Sequence, residues 1–452
     1  MTEKSPQKIS VVGAGLAGSE CALQLADRGY HVVLFEMRDK TMTPAHKTNK
    51  FAELVCSNSF GSMAEVSAPG QLKWEARKLG SKILQAAYEA QVPAGQALGM
   101  DREVFSATVT EMVRKHPNIE IRNEVVNNLE EVPRPAVIAT GPLTHDPLAE
   151  SLRRHFGDEF MYFFDAIAPI IDAESINTEI AWKADRYDKG DGDGDYYNCP
   201  LNKEEYERFI AEVKAARKIE PKHFETTGFF EGCMPIEAMI ERGDHTLRFG
   251  PMKPVGLDNP KTGRYAYATL QLRQDNKEGT AYNMVGFQTR MAYSEQVRIF
   301  RMIPGLENAE FLKLGSIHRN LYINTPKSLN RDLSSKRDPW LFFAGQITGV
   351  EGYFESTCVG LLVAKFLDQK LRDQVFNPPP RASALGSLLE AITDPTRADH
   401  FQPTNINFAL LPPLAESDLE TLKAQNLHRD KKAKKEVQIQ KARHALESWL
   451  ES

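Results

Sequence analysis

The turn Gly13-Ala14-Gly15-Leu16-Ala17-Gly18 restricts the fold of this chain more than any other feature. Ile9-Ser-Val-Val leads into it as a short apolar strand. Ala22, Leu23, Leu25 and Ala26 follow at helical spacing, and Gly29 is placed to stop that helix. His31-Val-Val-Leu-Phe predicts a second buried strand, ending at Glu36. In such a unit the first glycine permits the tight turn, the second lets backbone approach a pyrophosphate, and the third lets helix and strand pack closely. The helix start offers unpaired N–H groups and a positive dipole end to phosphates. Glu36, eighteen residues after Gly18, is placed to accept ribose hydroxyls. The pattern predicts a dinucleotide-binding α/β unit.

A second glycine-rich turn lies far along the chain. Leu341-Phe-Phe-Ala-Gly345-Gln346-Ile-Thr-Gly349-Val-Glu-Gly352 reads as strand and turn, with a helix over 356–367. No second dinucleotide fingerprint exists. An N-terminal ADP clamp with a late strand–turn–helix resembles flavoproteins of the glutathione-reductase type and favours FAD over NAD as the bound nucleotide. Pro135-Ala-Val-Ile-Ala-Thr140-Gly141 resembles the strand and turn at which such domains leave the first half of the nucleotide fold. From Phe163 the pattern changes. Strand-like runs at 165–171, 247–249, 265–272 and 282–288 are broken by helices near 203–218 and 235–242. The expected fold is α/β: a Rossmann-like FAD-binding domain with an α+β insertion domain. Its parts are 1–162 and 318–376 for the nucleotide domain, 163–317 for the insertion, and 377–452 for a C-terminal segment. Thr43 to Phe60 reads as loop and Gln71 to Ala90 as one helix.

Composition narrows the class. The chain has 452 residues, 41% hydrophobic and 26% charged, which excludes disorder and collagen-like fibre. No apolar run approaches the ~18 residues of a membrane helix, so no membrane partner is expected. The N-terminal residues carry no apolar signal region, which predicts a cytoplasmic protein. Net charge is −5, but Leu422 to Arg443 carries +6, leaving −11 elsewhere. A basic tail on an acidic body reads as an RNA-facing element or as a solvated helix. Counted from Asp191, the run Asp188 to Asp195 leads to Tyr196 and Asn202 where a calcium loop needs glycine and glutamate, and it reads as a solvated turn.

Five cysteines, odd in number and without C-x-x-C, suggest neither a disulfide framework nor a zinc site, and no metal is expected. Cys233 precedes a helix predicted to start at Pro235, a position that favours a thiolate. Cys56 lies in Glu53-Leu-Val-Cys-Ser-Asn-Ser, among capping-type residues. Either could be reactive, whereas Cys21 and Cys358 fall inside helices and read as core.

Several segments together resemble the folate- and FAD-dependent tRNA uracil-5-methyltransferases, the TrmFO family, related to the MnmG/GidA flavoprotein lineage. They include Glu53-Leu-Val-Cys-Ser-Asn-Ser, Ala139-Thr-Gly-Pro-Leu-Thr, Phe230-Glu-Gly-Cys-Met-Pro-Ile-Glu, Phe249-Gly-Pro-Met-Lys-Pro-Val-Gly-Leu, Val285-Gly-Phe-Gln-Thr and Phe343-Ala-Gly-Gln-Ile-Thr-Gly-Val-Glu-Gly-Tyr. The likeness runs from Ile9 to Leu414. It implies 5,10-methylenetetrahydrofolate as one-carbon donor, FAD as carrier, NADH or NADPH as reductant and the tRNA T loop as substrate. It also implies two working cysteines, here Cys56 and Cys233. One thiolate adds at uracil C6 and one base removes the C5 proton. Cys233 is assigned as nucleophile and Cys56 as base, with the reverse left open. Gly61, where the family carries a basic residue, and Ala409, where it carries glycine, depart from the pattern. An rRNA uracil methyltransferase or another flavin-dependent uridine modifier is the alternative. A non-catalytic flavin-containing RNA-binding protein is disfavoured by retention of both cysteine motifs.

Overall fold

The computed structural model describes residues 8–157, 160–166, 168–187, 194–219, 234–276, 279–315 and 317–451. Its centre is a five-stranded parallel sheet in the order Leu341–Phe343, Ala136–Ile138, Lys8–Val12, His31–Phe35, Ile119–Arg122. Val12 lies opposite Phe35 on one side and Ile138 on the other, and Ile138 lies opposite Phe343. Four of the five residues of Lys8–Val12 are buried without alternation, as expected for a strand covered on both faces. The helices Leu16–Asp27 and Tyr353–Leu371 pack against each other. Their backbones approach so closely that a Cβ on Gly360 would sit 2.3 Å from the carbonyl oxygen of Ala17. Cys21 and Cys358 are fully buried there, and burial pushes both thiols well above their ordinary pKa.

A second core forms around a six-stranded antiparallel sheet. Its order is Trp182–Lys183, Tyr196–Leu201, Ala268–Gln274, Ala281–Met284, Ile170–Asp172, Phe311–Lys313. Phe209, Leu270, Phe287 and Phe300 are among the buried side chains that fill it, together with Cys199. The helices Lys203–Ala215, Ile236–Glu241 and Tyr293–Phe300 contribute to this core. A two-stranded ladder, Phe160–Ala166 with Ile317–Ile323, lies where the chain passes between the two cores.

Four elements differ from expectation. Leu247-Arg-Phe is not a strand but part of the helix Thr246–Phe249. Leu247 is buried while Phe249 faces out, so alternation never had two inward positions to serve. The run 165–171 divides between two sheets. Pro169 cannot donate to a ladder, and Ile170 starts a new strand after it. The single helix expected over 71–90 is two, Ala68–Lys78 and Lys82–Glu89. Gly80 takes φ +73, and Ser81 restarts the helix by accepting a bond from the Leu84 N–H at 3.2 Å. The run 282–288 leaves the ladder after Met284, where Gly286 takes φ +74. Of the acidic turn expected over 188–195, only Gly194 and Asp195 are described.

The C-terminal segment folds back onto the first core. Buried Glu75 accepts the N–H groups of Ala384 and Leu385 at 2.7 and 2.8 Å, anchoring the helix Ala384–Thr393. The basic tail is the helix Lys431–Glu451, which buries Ala433, Ile439, Ala442 and Leu446. Arg443 reaches Glu65 at 2.9 Å and lies over the ring of Trp74. Among the described residues no helix is long and apolar enough to cross a membrane.

Candidate functional site

A cavity of about 500 Å³ opens at the C-terminal ends of the parallel strands, where Val12, Phe35, Ala139 and Ala344 reach its wall. The chain crosses over in opposite directions on the two sides of Lys8–Val12, so this is a topological switch point, where such sheets bind ligands.

The first glycine turn builds one wall, and Gly13, Gly15, Leu16 and Ala17 line it. Gly13 takes φ +99 with no room for a Cβ, which would lie 2.7 Å from the Ala139 carbonyl oxygen. Gly18 lies behind the wall, where a Cβ would fall 1.8 Å from the Gly13 carbonyl oxygen. Gly15 is the opposite case: a Cβ there would meet no protein atom within 4 Å. No side chain among the described residues caps the helix that starts at Leu16. An uncapped helix start behind open space at Gly15 suits a pyrophosphate.

Glu36 lines the same cavity. Its Oε2 accepts the Ala14 N–H at 2.9 Å and Arg38 Nη2 at 3.0 Å, while its Oε1 accepts Arg38 Nε at 2.9 Å. Burial alone would raise its pKa. The hydrogen bonds and charge of Arg38, with the backbone N–H groups, outweigh burial and hold the carboxyl below the usual range. The second glycine turn closes the far side through Gly345, Gln346 and Gly352, and Gln346 Nε2 donates to Glu351 Oε2 at 2.7 Å. The helix beginning at Tyr353 likewise has no side-chain cap among the described residues.

Cys56 also reaches the cavity. Its backbone N–H donates to Tyr353 Oη at 2.7 Å, so the cysteine loop is tied to the second turn. Three cations from distant parts of the chain grip the same loop. Arg102 Nη2 donates to the Cys56 carbonyl oxygen at 2.8 Å and its Nε to Asp275 Oδ2 at 2.8 Å. Arg273 Nη2 donates to Ser57 Oγ at 2.8 Å and its Nε to Asn58 Oδ1 at 3.1 Å. Lys313 Nζ donates to the Val55 carbonyl oxygen at 2.6 Å. Burial, then the charges of Arg102 and Lys47, pulls the Lys313 pKa down to about 8. Burial also lowers that of Arg273. In Arg102 burial is outweighed by Asp275, which raises its pKa.

The cavity therefore brings Cys56 together with both glycine turns and Glu36. Ala14 does not line it and acts through its N–H to Glu36. Cys233 lies outside the described residues. Arg38, Arg102, Arg273 and Lys313 were not foreseen. Only Arg38, two residues from Glu36, left a local signal.

The profile of a known family, described as glucose inhibited division protein A, matches residues 8–374. This chain belongs to that family. It is 80% identical over 443 residues to a protein of Bdellovibrio bacteriovorus named methylenetetrahydrofolate--tRNA-(uracil-5-)-methyltransferase TrmFO, covering 98% of each chain. It is 51% identical over 446 residues to a protein of Zymomonas mobilis with the same name, covering 98% of this chain and 97% of that one. The solved structure of Aquifex aeolicus GidA superposes with a TM-score of 0.66 at 15% identity, over 99% of this chain and 74% of that one. At that identity the likeness speaks for the fold, a flavoprotein-type parallel sheet with an inserted second unit.

Proposed function

We propose that this chain methylates C5 of a uridine in the T loop of tRNA, with 5,10-methylenetetrahydrofolate as one-carbon donor, FAD as bound cofactor and NADH or NADPH as reductant. The observation that carries the reading is 80% identity along 98% of a protein of that name. The geometry agrees, because one cavity is lined by a dinucleotide-type turn and by Cys56. The parts 1–162 and 318–376 hold the nucleotide, 163–317 is the insertion and 377–452 the C-terminal segment. The setting is the cytoplasm.

The uncapped helix start behind Gly13 and Gly15 takes the pyrophosphate, Glu36 takes the ribose, and Gly345, Gln346 and Gly352 close on the remainder. Bound FAD supplies the one-carbon carrier and the reducing electrons. The chain supplies thiol chemistry and position. Cys233, as thiolate, adds at uracil C6 and makes C5 nucleophilic. After C5 has taken the one-carbon unit, Cys56 accepts the C5 proton and the Cys233 thiolate is expelled. Arg102, Arg273 and Lys313 surround the Cys56 loop with the kind of positive field in which a thiolate is held.

The test supplies labelled methylenetetrahydrofolate, NAD(P)H and a tRNA transcript, and omits S-adenosylmethionine. Label is expected in 5-methyluridine. Transfer that requires S-adenosylmethionine and ignores the folate would overturn the reading.

The tail helix adds affinity without choosing the base. Lys431, Lys432 and Lys435 are exposed and Lys434 half-buried, with Lys435 over the ring of Phe408. Contacts of this kind go to phosphates and are salt-dependent and sequence-blind. Changing all four to glutamine is expected to weaken tRNA binding and to flatten its log–log salt dependence by about 3. An unchanged slope would leave the tail as a solvated helix.

A further inference from the structure

Beside the cavity wall at Gly286, the second core carries a segment with exposed aromatic side chains. The segment from Phe249 to Tyr265 leaves the helix Thr246–Phe249, passes Gly286 and enters the strand Ala268–Gln274. Pro251 packs this segment against the cavity wall at Gly286. A Cβ on Gly286 would lie 2.6 Å from Pro251 Cβ, and Gly286, with Val285 and Gln288, lines the cavity. Arg186 fixes the segment from the other side, donating to the carbonyl oxygens of Lys253, at 3.0 Å, and of Val255. The segment is thus held in place.

On this segment Phe249 is 80% exposed, Tyr265 58% and Val255 42%. One exposed apolar side chain needs no explanation. Here three fall on one short segment, together with exposed Lys253, Lys261 and Arg264 and a single carboxylate, Asp258. Next to Phe249, the guanidinium of Arg248 lies 3.6 Å from the centre of the Tyr267 ring. Open aromatic faces among cations bind unpaired bases by stacking and their phosphates by charge. An apolar face meant for a second copy of the chain has no use for three cations, whereas a polyanion has.

We infer that this segment forms the rim of the cavity and is a docking platform for unpaired RNA bordering the target uridine. Phe249 and Tyr265 stack on neighbouring bases, and Lys253 and Arg264 contact phosphates. The inference rests on the proposed function and adds where the substrate's loop lies.

The experiment measures binding of a tRNA transcript to the flavin-loaded, full-length protein over a range of salt. Phe249→Ala and Tyr265→Ala are each expected to raise Kd about 5- to 150-fold, the loss of one base stack, with an unchanged salt slope. Lys253→Gln is expected to reduce the slope by about 0.7. Phe249→Tyr, which keeps a stacking face, is expected to bind as the unaltered protein does. Wild-type Kd in both alanine variants, while the unaltered protein still methylates tRNA, would overturn the platform and leave the proposed function standing. A platform that binds and loses tRNA as stated, in a protein that transfers no methyl group, would support the platform and overturn the function. A dimer dissolved by the alanine changes with tRNA affinity intact would assign the face to a second copy and overturn the inference.

Discussion

Replacing Cys56 with alanine is expected to slow methyl transfer by about 10²- to 10⁴-fold, the usual contribution of one positioned acid–base group, with bound flavin unchanged. The flavin should survive because the loop is held through backbone that alanine keeps. Its N–H still reaches Tyr353 and its carbonyl still takes the bond from Arg102. Arg273 and Lys313 donate to Ser57, Asn58 and Val55, and those bonds do not require the sulfur. What disappears is the proton acceptor at uracil C5. With tRNA carrying 5-fluorouridine, addition at C6 can occur but the C5 fluorine cannot leave as a proton would. A denaturing gel should then show trapped protein–RNA in Cys56→Ala and none in Cys233→Ala. The opposite pattern would exchange the two roles. Normal methylation by both single variants would remove the cysteines from the mechanism.

The two sides of this site were unequally legible in the sequence. The nucleotide side is local. Strand, turn, helix and acid follow one another within 36 residues, and the closest approach at Gly18 is to Gly13 of the same turn. The cysteine side is assembled from afar. Arg102 begins a helix 46 residues after Cys56, Arg273 lies in a strand of the second core, and Lys313 lies in that sheet's edge strand. Periodicity can say that Ala268–Gln274 is a strand, but not that its Arg273 reaches Ser57. Glu36 shows the same limit. Its position was readable, whereas its clamp by Arg38 and the Ala14 N–H depends on how the turn folds over it. The misread elements share a cause. Leu247-Arg-Phe and the run 165–171 look like strands by residue type, but which residues are buried, and where Pro169 interrupts the ladder, is decided by tertiary neighbours.

Gly15→Val and Gly18→Ala are expected to fail in opposite ways, although both sit in one turn. Gly15 has φ −75, an ordinary conformation for any residue, and a Cβ there meets no protein atom within 4 Å. Valine should fold with little strain and place its methyl groups where the pyrophosphate is proposed to lie. Flavin content should fall to below about a tenth, since even 1.4 kcal/mol is tenfold in affinity. The melting midpoint measured without flavin should barely move. At Gly18 a Cβ would lie 1.8 Å from the Gly13 carbonyl oxygen and 3.2 Å from Ala139 Cβ. The nearest obstacle is backbone, which cannot rotate away, so helix and strand must part. The cost should reach the upper end of the 1–3 kcal/mol of ordinary overpacking, about 6 to 12 °C in melting midpoint for a domain of this size. Melting followed by circular dichroism, with flavin absorbance on the same samples, separates the two effects. A Gly15→Val protein that keeps stoichiometric flavin would remove the pyrophosphate from this turn. A Gly18→Ala protein that melts with the unaltered chain would show that helix and strand can part there at no cost. The two glycines would then no longer divide the turn into a binding face and a packing face.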